Sequence, residues 1–141
     1  MTATMTTQGL ILFAHGARDP RWAAPFEAVA RQIARQQPQV QLRLAYLELM
    51  SPSLAQAGAE LCAAGCNRVD VLPMFLGTGG HLRKDLPPMI ERLREMHPSV
   101  RWQLHDAVGE HPRVREAMAA TALALLAEPG ATFDPTHPAS P

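Results

Sequence analysis

Short, nearly unbroken apolar runs alternate along the chain with longer segments in which apolar residues recur every three or four positions. The first pattern suits strands and the second amphipathic helices. Their alternation predicts a βα-type domain around a mainly parallel sheet. Residues 9–14 (GLILFA) form an almost continuous apolar run, as expected of a central strand covered on both faces. Asp19-Pro20 predicts a helix start, a capping carboxylate followed by a residue whose missing N–H costs nothing there. Trp22, Phe26, Val29, Ala30 and Ile33 keep helical spacing to about Gln37. A second strand is predicted over 40–47, where Val40, Leu42, Leu44 and Tyr46 alternate with polar neighbours.

The same capping logic places a second helix after Ser51-Pro52, with Leu54, Gly58, Leu61 and Cys62 as its buried stripe and Gly65 at its end. Residues 68–75 (RVDVLPMF) read as a third strand, with Pro73 near its end where a missing N–H is tolerated. Asp85 is positioned to cap a third helix with the stripe Leu86, Met89, Ile90, Leu93 and Met96. Val100, Trp102 and Leu104 alternate in a fourth strand, and a last helix runs from about Pro112 to Ala127. The expectation is an α/β fold: one domain over residues 9–128, a four-stranded mainly parallel sheet with helices on both faces. A flexible arm (1–8) precedes it, and a proline-rich disordered tail (129–141) follows.

At 141 residues the chain can bury a core of ordinary size. Its formal net charge of zero gives no general electrostatic footprint for nucleic acid. No run of 18 apolar residues is present, so no transmembrane helix and no membrane partner are expected. The first eight residues lack the basic start and apolar stretch of a signal peptide, which makes the cytoplasm the expected compartment. Cys62 and Cys66 have no nearby Cys or His to complete a zinc set, and a buried structural role without a disulfide is expected.

Open parallel sheets bind ligands beyond the carboxyl ends of their strands, so the residues after each strand matter most. His15-Gly16-Ala17-Arg18-Asp19 follows the first, and Glu48-Leu49-Met50-Ser51 the second. The third is followed by Leu76, Gly77, Thr78, Gly79, Gly80, His81, Leu82, Arg83 and Lys84, and the fourth by His105-Asp106 and Glu110-His111. Three of the four strand ends thus carry histidine and the remaining one carries glutamate. His15 ends a buried apolar run, where a polar group needs a reason. His81 follows Gly77, Gly79 and Gly80, which let backbone approach a ligand closely. Two imidazoles and a carboxylate can bind a borderline divalent metal and leave positions open, or serve as bases near neutral pH. Arg18, Arg21, Arg83 and Lys84 lie beside them, able to grip carboxylates or phosphates or to form a solvated rim. His97, beside Pro98, reads as a helix cap, and His137 in the tail is assigned no role.

The segments AHGARDP (14–20), LELMSP (47–52) and PMFLGTGGHLRKDLPP (73–88) resemble the short-form sirohydrochlorin chelatases of the cobalamin and sirohaem pathways, over about residues 9–128. The third block, at this distance from the first, is the specific signal. The resemblance implies a chelatase-like α/β half-unit that pairs into a homodimer. It implies insertion of a divalent metal, cobalt or iron, into a carboxylate-rich tetrapyrrole. His15 would be proton acceptor and metal ligand, His81 the second ligand, and Leu76–Gly80 the tetrapyrrole lining. A carboxylate in the second turn also faces the substrate in this family. Here Glu48 supplies one, while Ser51 stands where many relatives carry glutamate, and both are candidates. Ala17 replaces the usual serine after His-Gly. Arg18, Arg83 and Lys84 are expected to hold substrate carboxylates by charge-assisted hydrogen bonds. No Walker-type loop exists, so no ATP and no cofactor beyond the substrate metal are expected.

Two rival readings stand beside this one. A histidine phosphatase also places His-Gly after a first strand, but generally with arginine directly before it, where this chain has Ala14. A non-catalytic metal carrier or tetrapyrrole-binding module would use the same histidine pair, and binding without turnover would mark it.

Overall fold

The computed structural model describes residues 6–77 and 79–128, except for the His81 side chain. The chain forms four strands, β1 (Gln8–Ala14), β2 (Gln41–Tyr46), β3 (Arg68–Pro73) and β4 (Arg101–Leu104). They make one parallel sheet in the order β2-β1-β3-β4. Four α-helices follow the strands in turn: α1 (Ala24–Gln36), α2 (Leu54–Ala63), α3 (Gly80–Met96) and α4 (Pro112–Leu126). Short 3-10 turns, Pro20–Ala23 and Val108–Glu110, precede α1 and α4. The expected fold class and sheet are therefore what forms.

Strand parity divides the core. Ile11 and Phe13 of β1 join Val69, Val71 and Trp102 on the face covered by α2 and α3, where Leu54, Leu61, Ile90 and Leu93 meet them. Ala14 faces the other side with Tyr46, Trp22 and Phe26, in the layer under α1. Residues 11–14 are fully buried, which is why an unbroken apolar run occupies the centre of the sheet. The strand order reverses at β1. The chain leaves β1 towards one face and β3 towards the other, which opens a crevice between their ends.

Several boundaries depart from the sequence expectation for local physical reasons. The second helix is capped by Ser53, not Ser51. The Ser53 hydroxyl accepts from the Gln56 N–H (3.2 Å), and the Gln56 side chain accepts from the Ser53 N–H (2.8 Å), a complete capping box. Ser51 instead precedes a cis proline, Pro52, whose carbonyl accepts from the Tyr46 N–H. Nor does Asp85 cap the third helix, which begins five residues earlier, after Gly79. Pro87 and Pro88 lie inside it, both exposed, so water can reach the carbonyls left without a helical N–H. Residues 7 and 8 do not belong to a loose arm: Thr7 exchanges backbone and side-chain hydrogen bonds with Asn67, and Gln8 is in β1. Residues 1–5 of that arm and the tail from residue 129 lie outside the described residues.

Of the α3 stripe, Leu86, Ile90 and Leu93 are buried, Met89 is half-buried and Met96 is exposed. Cys66 is buried and Cys62 half-buried; both are free, and burial pushes the Cys66 thiol up, away from reactivity. His97 ends α3 through its backbone N–H to the Leu93 carbonyl, while its ring lies against Trp102. No helix among the described residues is long and apolar enough to cross a membrane. The α4 helix has no buried residue, and its main contact within the chain is the Val108–Glu110 turn.

The two serines give a direct test of the capping assignment. Ser53→Ala is expected to cost about 1 kcal/mol in denaturant unfolding, while Ser51→Ala leaves stability nearly unchanged.

Candidate functional site

The turn after β1 and the turn after β2 are built as one unit. The Leu47 N–H donates to the Ala14 carbonyl (2.9 Å) and the Glu48 N–H to the His15 carbonyl (3.1 Å), extending the sheet pairing past both strand ends. Gly16 has φ +97°, and a Cβ there would fall 1.9 Å from the Glu48 carbonyl oxygen. Only glycine permits that conformation and that approach. Leu49, also at positive φ, continues the second turn. The consequence is a fixed pair: His15 Nε2 donates to Glu48 Oε1 at 3.1 Å, with both side chains about half exposed (50% and 56%). The imidazole edge also meets the Phe75 ring, which comes from the end of the third strand across the crevice.

The other expected site residues fall around this pair. Arg18 is exposed and makes no hydrogen bond or ion pair among the described residues. Arg21 is bound instead to the capping carboxylate of Asp19 (2.8 Å), which holds that carboxyl below its usual range. Leu76 is exposed (66%), as are Gly77, Gly79 and Gly80. His81 is the second residue of α3, at the crevice end of that helix; its side chain and Thr78 lie outside the described residues. Arg83, in the first turn of α3, donates to Glu110 Oε1 (3.2 Å). Lys84 is exposed. Ser51 does not reach His15: it borders a shallow groove with Pro52, Gln56 and Glu60 on the flank of α2. Among the described residues no group of three potential metal ligands is gathered; His15 and Glu48 are two.

A polar cluster that the sequence reading missed occupies the α1 side of β3. Asp70 is only 6% exposed. It accepts from His105 Nε2 (2.8 Å) and Gln8 Nε2 (3.1 Å), and its carboxylate lies 3.3 Å from Arg68 Nε. The signal was present as a lone charge between Val69 and Val71 in an otherwise apolar strand. Burial pushes this carboxyl up, but the bonds from His105 and Gln8 and the charge of Arg68 outweigh it and leave it below its ordinary 3.8. A cleft of about 350 Å³, bordered by Arg83, Leu86, His105 and Glu110, lies between α3 and the end of β4. It does not include His15 or Glu48, which stand on open surface.

A parallel sheet with an imidazole–carboxylate pair at its switch point defines the class, an open α/β domain with polar side chains presented at the carboxyl edge of its strands. Comparison with known proteins makes this particular. The CbiX family model matches residues 9–124. A sirohydrochlorin cobaltochelatase of Saccharolobus solfataricus is 25% identical over 116 residues, covering 78% of this chain and 89% of that protein. A solved structure from Marinobacter aquaeolei VT8, assigned to cobalamin biosynthesis as CbiX, superposes with a TM-score of 0.75 at 36% identity, covering 84% of this chain and 97% of that one. The sirohydrochlorin chelatase SirB of Bacillus subtilis subspecies spizizenii, solved in complex with cobalt, shares the fold (TM-score 0.73, 21% identity). There the chain covers 86% of its own length but 51% of the SirB chain. The chain belongs to the CbiX family, and the Saccharolobus and Bacillus proteins it is similar to are sirohydrochlorin chelatases.

Asp70 provides a pH test. Its folded-state value is lowered, so its contribution is present above the ordinary carboxyl range and is lost as pH falls through the lowered value. Asp70→Asn is expected to lower the denaturation midpoint at pH 7, with variant and wild type converging below about pH 4.

Proposed function

We propose that this protein inserts cobalt(II) or iron(II) into sirohydrochlorin without ATP, using His15, Glu48 and His81 as metal-handling groups. The observation that carries the reading is the His15–Glu48 pair. Two ligand atoms 3.1 Å apart match the bite of one metal at about 2.1 Å from each and an angle near 95°. The metal would take the place of the hydrogen bond between imidazole and carboxylate. His81, the second residue of α3, supplies the next ligand. So few protein ligands hold the ion strongly enough to strip water yet release it to the macrocycle. As the metal leaves, His15 takes a pyrrole proton and Glu48 stabilises the resulting imidazolium. The substrate's carboxylates are met by Arg18, Arg83 and Lys84, and its ring by the exposed backbone of Leu76, Gly77, Gly79 and Gly80, with Thr78 of the same segment as a further contact. Glu48, not Ser51, is the second-turn group assigned here, because it alone of the two faces His15.

The test is an absorbance assay of purified protein with sirohydrochlorin and cobalt(II) or iron(II), free of nucleotide, against the uncatalysed rate. His15→Ala is expected to lower kcat/KM by about 100-fold or more and Glu48→Gln by about 10-fold or more, both folding normally. Tight tetrapyrrole binding with no acceleration in the wild type would instead establish a carrier.

The working unit of this reading is a homodimer. Support comes from the span of one chain over half of SirB, and from α4. Between Ala117 and Leu126 that helix carries one polar residue, Thr121, and Met118, Leu123, Leu125 and Leu126 are exposed. A helix apolar on every side is one that a partner covers. Sedimentation should give twice the 15.4 kDa chain mass, and Leu125→Arg should shift it towards the monomer. A monomeric wild type at micromolar concentration would overturn this.

A further inference from the structure

We infer that Gly109 and Glu110 are positioning residues for the metal site, a two-residue clamp that fixes both ends of the glycine-rich turn leading to His81. The inference rests on the chelatase reading and adds to it a device on the far side of the turn. Gly77, Gly79 and Gly80 cannot hold that turn in place themselves. A Cβ on any of them would meet nothing within 4 Å, and Gly79 caps α3 without a side-chain bond. Three glycines in open space also carry the largest conformational freedom a chain can have. The bonds at the two ends of the turn, on Phe75 and Arg83, bear on that placement.

The Val108–Glu110 turn touches both ends. At the upstream end the Gly109 N–H donates to the Phe75 carbonyl (2.9 Å). Gly109 is buried, and a Cβ on it would lie 2.0 Å from the Leu76 oxygen and 2.3 Å from its Cα. Its φ is not in the left-handed region, so glycine is required here by space, not by conformation. At the downstream end the Glu110 carboxylate accepts from Arg83, two residues beyond His81. Neighbouring residues of one tight turn thus hold positions 75 and 83.

The turn is itself grounded in the sheet. Ala107 is 2% exposed, and its carbonyl accepts from the Glu110 N–H (2.9 Å). Just before it, His105 is held by its backbone N–H to the Val71 carbonyl (3.0 Å) and by its ring to buried Asp70. Asp70, His105 and the turn form a continuous path from the middle of β3 to the residues flanking His81. The His15–Glu48 half of the site is held separately, by the backbone bonds between the first two turns. The two halves meet at the correct spacing only if the second is braced from behind.

An ion pair at the surface contributes little to stability, whereas a ligand displaced by about 1 Å can cost about 100-fold in rate. Glu110→Ala should therefore damage the site more than the fold. The experiment is cobalt(II) titration of the full chain without tetrapyrrole, read by the visible ligand-field bands, together with NMR-detected amide exchange of the metal-free protein. In Glu110→Ala and Gly109→Ala, amides of Gly77 and residues 79–83 should exchange about 10-fold faster, and cobalt affinity should fall about 10-fold. Glu110→Gln, which keeps an acceptor for Arg83, should recover part of both. The thermal midpoint of Glu110→Ala should move by no more than a few degrees.

Unchanged exchange in both variants would overturn the clamp, and so would faster exchange with unchanged cobalt affinity. Cobalt binding lost in His15→Ala but intact in both variants would sink the clamp and leave the chelatase reading standing. A wild type that binds no cobalt would sink the chelatase reading, and the exchange rates would still decide whether Gly109 and Glu110 hold the turn.

Discussion

Everything at the open edge of this protein depends on the hydrogen bonding of β1 to β2 on one side and to β3 on the other. Pairing runs the length of the strand, from Gln8 and Gly9 to Phe13 and Ala14. It continues beyond the strands, through Leu47 to Ala14 and Met74 to Phe13. A parallel ladder of this kind tolerates no slip, because a shift of one residue would turn Ile11 and Phe13 out of one core and into the other. The ends of three strands are therefore fixed relative to one another before any site residue is considered. His15, Glu48 and Phe75 inherit their positions from that register.

The polar groups are arranged on two different principles. His15 and Glu48 are half exposed and bind each other with little else, so water and an incoming ion can both reach them. Asp70 is the opposite case: it is buried, and three neighbouring groups satisfy its oxygens. A carboxylate held in that way is a structural tie and has no capacity left for a ligand. The contrast separates groups that exchange partners from groups that keep them.

The sequence made the sheet legible because its central strands are buried on both faces, and burial writes itself as unbroken apolar runs such as residues 9–14. The strand-end rule then placed His15, Glu48 and the 76–83 segment at one edge. What remained hidden depends on three-dimensional approach, which one-dimensional spacing does not encode. Ser51 looked like a cap because serine before proline usually is one, but the turn takes two more residues and the cap passes to Ser53. Asp85 looked like a helix cap because an apolar stripe of helical spacing starts at Leu86, yet α3 begins at Gly80 and carries Pro87 and Pro88 on its exposed side. Glu110 stood among the strand-end residues without a role. Its partner is 27 positions away, and the need for glycine at 109 comes from backbone of another segment. Sequence marked Gly16 through its place in the motif, but the reason, the Glu48 carbonyl beneath it, appears only in the fold.

That carbonyl has an implication for how such a site changes over evolutionary time. Because the main chains at Gly16 and Glu48 approach so closely, the separation of the two turns that carry imidazole and carboxylate is written in backbone atoms, which no side-chain replacement elsewhere can easily rescale. A lineage that changes what this edge accepts has little room to do so by moving these two turns apart. Divergence is channelled instead into side-chain identity and into the opposite wall of the crevice. A designer seeking altered selectivity at this edge should leave residue 16 alone and vary that wall.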